Sequence, residues 1–185
     1  MDASGARGFS LLEALFAVTL LAVGVGSVAH LSILSGQAVR AARQADTVQR
    51  LAREKLEQLR ALAFGRDEGG VDVTDSSSDL TQTPQAATGG PGLTTSVGDT
   101  LLSNVAGFCD FLDVNGRWLA SGTSAPVGAA WVRRWSVQTL TGLPDTLLLQ
   151  VVVLPAHIVG AADAVAVARN ASSAWLVDIR ARRDR

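Results

Sequence analysis

Between Ala14 and Val39 the chain carries no Asp, Glu, Lys or Arg. An uncharged run of that length is ample for a membrane-spanning helix, which needs about 20 predominantly apolar residues. Proline is missing before Pro84, so no residue of that type interrupts a helix in the N-terminal part. A single cysteine, Cys109, excludes an intramolecular disulfide. Set near Phe108 and Phe111, it reads as a small core residue rather than a nucleophile. Histidine is limited to His30 and His157. No Ser/His/Asp or Cys/His arrangement of recognisable spacing, phosphate-cradling glycine loop or metal-ligand cluster stands out, so an enzyme is the weakest class and no cofactor is expected. The net charge of −1, from 16 basic and 17 acidic residues, exerts no global pull toward nucleic acid. Asp72, Asp75 and Asp79 could gather around calcium, but they match no 12-residue calcium loop and read by default as solvated loop carboxylates.

Against these absences one residue stands out. Glu13 lies near the start of an apolar run that begins at Phe9, directly after Gly8. A carboxylate inside a bilayer costs several kcal/mol unless neutralised or paired, so it marks function and calls for a partner. An ordinary secretory signal peptide predicts a shorter apolar segment with a small-residue cleavage site after it, for which Gly24 or Ala29 would have to serve. A plain membrane anchor accounts for neither Gly8 nor Glu13.

The segment Gly8-Phe9-Ser10-Leu11-Leu12-Glu13 resembles the processing site of type IV prepilins and type II secretion pseudopilins. That resemblance implies cleavage between Gly8 and Phe9 by a prepilin peptidase, N-methylation of Phe9, and Glu13 as the fifth residue of the mature chain. It further implies that Glu13 pairs with the freed N-terminal amine of a neighbouring subunit when the apolar helices pack into a filament. The leader, residues 1–8, departs from the family habit in having one basic residue, Arg7, balanced by Asp2, which weakens its orientation signal.

Beyond the apolar run a helical period continues through Ala38, Ala41, Ala45, Val48, Ala52, Leu56, Leu59 and Ala63. Arg50 with Glu54, and Arg53 with Glu57, are spaced four apart for surface ion pairs. The first strong stop signal is Gly65, so the pattern predicts one helix from about Phe9 to about Phe64, roughly 80 Å long. Residues 9–36 form its membrane or filament-core half and 37–64 its amphipathic half. Gly24, Gly26 and Ser27 weaken helix propensity in the span, which suits either local melting on assembly or close helix packing.

Residues 65–99 are rich in Gly, Ser, Thr, Asp and Pro and read as a variable flexible loop. Residues 100–185 read as an antiparallel sheet domain of three to five strands. Phe108–Val114 and Arg117–Ala120 flank Asn115-Gly116, which suits a type I′ hairpin turn. Trp131–Leu140 alternates, with Trp131, Arg133, Trp135 and Val137 on one face. Gly142-Leu143-Pro144-Asp145 reads as a turn into Thr146–Leu154, a buried strand, and Trp175–Ile179 as the last. The expected fold class is α+β, the pilin-like lollipop that the resemblance implies.

The Arg133-Arg134-Trp135-Ser136-Val137 segment, and the Arg-Glu-Lys-Leu-Glu-Gln-Leu core of Ala52–Leu62, resemble the PilV-like minor pilins; the latter also resembles minor pseudopilin I. Arg beside Trp offers two readings, a nucleic-acid stacking site or cross-strand packing of Trp against an Arg stem. The leading expectation is a minor type IV pilin; the alternatives are a minor type II secretion pseudopilin and an adhesive or DNA-uptake tip module. Its partners would be the prepilin peptidase and methyltransferase, other major and minor pilins, the inner-membrane assembly platform and the lipid bilayer, with nucleic acid disfavoured. It would sit in the bacterial inner membrane with its C-terminal domain in the periplasm, and then in a filament.

Overall fold

The structure is a computed structural model that describes residues 10–76, 91–158 and 173–184. The chain divides between Ala42 and Arg43 into two compact units. A single helix, α1 (Leu11–Ala61), contributes to both.

In the C-terminal unit an antiparallel five-stranded sheet has the order β4-β3-β5-β6-β7. Its strands are β3 (Cys109–Leu112), β4 (Trp118–Ser121), β5 (Trp131–Leu140), β6 (Leu143–Pro155) and β7 (Ala174–Ala181). The helix lays Val48, Leu51, Ala52, Leu56 and Leu59 against one face of it, where Trp135, Val137, Leu147, Leu149, Val151 and Val153 join the same core. Each Val or Leu among them contributes about 1.5 to 3 kcal/mol by leaving water. The chain is α+β, as expected, but the buried stripe is shorter than its periodicity implied. Ala38, Ala41 and Ala45 are exposed, and burial begins at Val48. Lys55, which lies off the apolar stripe of the sequence, is nonetheless buried with Nζ 3.6 Å from the centre of the Trp135 ring. Its stem fills the core while the aromatic face stabilises the desolvated charge.

The opposite face of the sheet is also covered. Leu101 closes over Cys109, Phe111, Val132, Val152 and Leu154. Arg134 donates to Asn104 Oδ1 at 2.8 Å and to the carbonyls of Leu101 and Leu102, holding that covering segment in place. This explains why β5 alternates in sequence yet is buried on both sides from Trp131 to Val137.

The helix ends earlier than its pattern predicted, at Ala61 rather than Phe64. Phe64 instead starts β1 (Phe64–Arg66), which pairs antiparallel with β2 (Asp72–Thr74) and parallel with β8 (Arg183–Asp184) in a three-stranded sheet the sequence did not announce. Tertiary contacts set the stop. Arg180 donates to the Leu59 and Leu62 carbonyls left open at the helix terminus, and Asp75 Oδ2 accepts the Ala63 N–H at 2.7 Å. Gly65 then serves close approach, since a Cβ there would lie 2.8 Å from the Arg183 carbonyl oxygen. Within the stretch read as a connection, Leu93 is buried in the main core.

Two turns also differ from expectation. The β3–β4 hairpin is not type I′, because Asn115 keeps a negative φ and only Gly116 is left-handed, at +81°. Asp113 organises the loop: its carboxylate accepts the Asn115 and Arg117 N–H groups, both at 2.8 Å, and its carbonyl accepts from Gly116. That is a type I turn followed by a left-handed glycine. The segment Leu143-Pro144-Asp145 belongs to β6, so the turn contracts to Thr141-Gly142. Trp131–Leu140 is a strand with those bounds, and the last strand of the large sheet extends Trp175–Ile179 by a residue at the start and two at the end.

Candidate functional site

The N-terminal part of α1 is apolar and uncovered. Every Leu, Ile, Val and Phe from Leu11 to Val39 is exposed, and the most apolar 18-residue window of the helix has a mean hydropathy of 2.1. The helix is long and apolar enough to cross a membrane by length and composition. Monomeric soluble proteins rarely leave apolar patches beyond a few hundred Å² open to water, so this surface requires lipid or another apolar surface over it.

The polar groups of the segment are arranged to suit such a covering. Thr19 Oγ1 donates to the Phe16 carbonyl at 2.9 Å, Ser27 Oγ to that of Val23 at 2.8 Å, and Ser32 Oγ to that of Val28 at 2.9 Å. Each of these three hydroxyls is satisfied within the helix, which removes the desolvation cost it would otherwise carry into lipid. The helix runs through Gly24, Gly26 and Ser27 without a break, and a Cβ at either glycine would meet nothing within 4 Å. Gly24 thereby leaves a notch bordered by Leu20, Leu21, Val25 and Val28.

Glu13 occupies the first turn, where the positive end of the helix dipole favours a carboxylate. Its N–H donates to Ser10 Oγ at 3.2 Å, making Ser10 the N-cap and Ser10-Leu11-Leu12-Glu13 a capping-box spacing. The sequence reading missed this pairing, although the Ser-x-x-Glu signal was present. The Glu13 side chain is itself exposed. Gly8 and Phe9, the expected cleavage and methylation positions, lie outside the described residues, as does Asp79.

Elsewhere, side chains singled out for chemistry have structural partners. Arg133, Arg134 and Trp135 are buried, so the stacking-site reading fails for them, and the partner across the strand from Trp135 is Val151, with Lys55 rather than an arginine stem over its ring. Asp72 pairs with Arg66 at 3.1 Å and Asp75 caps the helix end, which assigns partners to two of the three carboxylates considered for calcium. Cys109 is free and buried; burial first, and then the neighbouring Asp110 charge, push its thiol up to about 12, which suppresses the thiolate. His30 and His157 are both exposed. Glu57 pairs with Arg60 at 3.0 Å, in place of the anticipated Arg53.

Compared with known proteins, the chain matches no family model, no curated protein and no solved structure.

Proposed function

We propose that this chain is a minor type IV pilin, processed after Gly8 and built into, or priming, a type IV pilus through its apolar helix. The observation that carries the reading is the exposed apolar surface from Leu11 to Val39, with a single carboxylate, Glu13, in its first turn and Gly8-Phe9 just before it.

In this reading the helix resides in the inner membrane with the C-terminal domain in the periplasm, until the assembly platform withdraws it into the filament. There the freed amine of Phe9 is a buried cation, and Glu13 of a neighbouring subunit neutralises it. Removing one partner of such a pair leaves an uncompensated charge and costs about 3 to 5 kcal/mol. The pair therefore acts as a registry device, favouring the one axial step that brings amine and carboxylate together. A minor pseudopilin of a type II secretion filament would use the same device.

The test is Glu13→Ala. Membrane insertion should be unchanged, while recovery of the subunit in sheared filaments falls by at least about tenfold, consistent with a lost ion pair of that size. Filament incorporation at the unsubstituted level would sink the proposal.

A further inference from the structure

The turn between β3 and β4 holds an Asn-Gly pair, Asn115-Gly116. Glycine leaves its own backbone nitrogen sterically open, so that nitrogen can attack the side-chain amide of the preceding asparagine and close a five-membered succinimide ring. Asn115 is exposed, so water reaches the amide and any ring formed from it.

The native turn holds the reacting groups apart. Gly116 N–H donates to the Asp113 carbonyl at 3.0 Å, and neither Val114 nor Asn115 has a positive φ, which together define a type I turn. At the third residue of such a turn ψ is about 0°, so the Gly116 nitrogen eclipses the Asn115 nitrogen and lies roughly a third of a turn away from Cβ. Ring closure needs that nitrogen in one plane with Cβ and Cγ. Rotation about the Asn115 Cα–C bond brings it there, and breaks the hydrogen bond to the Asp113 carbonyl.

Two further sets of contacts resist this rotation. Asp113 Oδ1 accepts the N–H groups of Asn115 and Arg117, both at 2.8 Å, and so pins the chain on either side of the bond that must turn. Gly116 itself is packed so closely that an added Cβ would lie 2.8 Å from Leu51 Cδ2 and 3.2 Å from Arg50 Nη2.

We propose that Asn115 is a self-modification site gated by Asp113, closed in the native turn and converted to aspartate and isoaspartate when the turn opens. In the open state the Gly116 nitrogen bonds to Asn115 Cγ, the Cγ–Nδ2 bond breaks, and the Gly116 amide proton leaves with Nδ2 as ammonia. Water then adds to the ring. Addition at Cγ gives aspartate, and addition at the main-chain carbonyl gives isoaspartate, which inserts a methylene into the backbone and sets a second carboxylate beside Asp113. The space against Leu51 does not accept the extra atom, so the isoaspartyl turn stays open. None of this depends on assembly of the apolar helix.

The full-length chain in detergent micelles is held at mildly alkaline pH, natively and in urea. Aspartate and isoaspartate in the fragment spanning Asn115 are followed by mass and by enzymatic isoaspartyl methylation. The native chain should react at least about tenfold more slowly than the unfolded one, as befits several hydrogen bonds that must open first. Asp113→Ala should speed the native reaction by at least about tenfold. Asp113→Asn keeps an oxygen for both N–H groups and should stay near the unsubstituted rate, with urea unfolding curves verifying that both variants fold. In the isoaspartyl form the Arg117 N–H should lose its protection from hydrogen exchange. Equal rates in the native and unfolded chains, a folded Asp113→Ala variant no faster than the unsubstituted chain, an Asp113→Asn variant as fast as Asp113→Ala, or retained Arg117 protection overturns the proposal.

Discussion

Arg133 and Asp110 sit opposite one another on adjacent strands and form a two-pronged ion pair with no access to solvent. Nε lies 3.0 Å from Oδ1 and Nη2 lies 2.8 Å from Oδ2. The remaining nitrogen, Nη1, donates to the Leu51 carbonyl of the helix at 3.2 Å, so one guanidinium ties β3, β5 and α1 together. Planar, bidentate geometry of this kind is what arginine supplies and lysine does not.

Truncating either partner alone, as Arg133→Ala or Asp110→Ala, should destabilise the domain by about 3 to 5 kcal/mol, because the other charge stays buried without its two-pronged partner, Arg133 keeping as counter-charge only Glu54 at 3.9 Å. The double replacement Arg133→Met with Asp110→Leu should recover most of that loss. Urea unfolding of the detergent-solubilised chain, followed by fluorescence of the buried Trp131 and Trp135, measures both. Additive losses in the double variant would show that the two side chains do not act as a pair.

Cys109 gives an alkaline signature. Its thiol is pushed from 9.0 to about 12 on folding, so above pH 9 the unfolded chain releases a proton that the folded chain keeps. The unfolded state then binds fewer protons, and stability falls as pH rises from 9 toward about 12, with no contribution from this group below 9. Cys109→Ala should flatten that alkaline decline. At pH 8 iodoacetamide should label the native thiol only slowly and the urea-unfolded thiol readily; fast native labelling would contradict the assigned burial.

On the acid side, Asp145 accepts from Arg66 Nη2 at 2.7 Å and from Arg182 Nε at 2.9 Å. The Arg66 hydrogen bond, followed in effect by that of Arg182, holds its carboxyl below the usual range. The folded state therefore binds fewer protons than the unfolded one near and below pH 4. The resulting stability is complete above the ordinary carboxylate value and is lost as pH falls through the lowered one. Asp145→Asn should give a shallower acid limb in urea midpoints between pH 6 and pH 3. An unchanged slope would assign the acid sensitivity elsewhere.

Gly116 is fixed by both conformation and space. It has φ of +81°, and an added Cβ would lie 2.8 Å from Leu51 Cδ2. Gly116→Ala should cost about 1 to 3 kcal/mol through strain and overpacking against the helix. Leu51→Ala combined with Gly116→Ala should cost less than the two separate losses added together, since truncating Leu51 relieves the overlap.

The sequence periods of 3.6 and 2 marked α1 and β5, and the apolar run of Thr146–Leu154 marked β6, although β5 proves buried at every position from Trp131 to Val137. What escaped was decided by partners remote in sequence. The helix stop depends on Arg180, which lies beyond β6, and β1 exists because Arg183 and Asp184 return to pair with it. Lys55 and Arg133 are residue types that rarely lie fully buried, yet Lys55 enters the core over the Trp135 ring and Arg133 through Asp110 and the Leu51 carbonyl. The Asn115-Gly116 signal located the hairpin correctly but not its turn, since Asp113 offers backbone donors a local acceptor that favours a longer loop. At the N-terminus, charge depletion made the apolar helix and Glu13 visible at once, while the capping role of Ser10 needed geometry.

The central claim, that the chain is cut after Gly8 and assembled through the helix that follows, is tested most directly by mass and N-terminal sequence. The measurement is made on the protein recovered from membranes of cells with an active prepilin peptidase. The account predicts a chain beginning at N-methylated Phe9. A chain that retains Met1 to Gly8, or one that starts after Gly24 or Ala29, would contradict it.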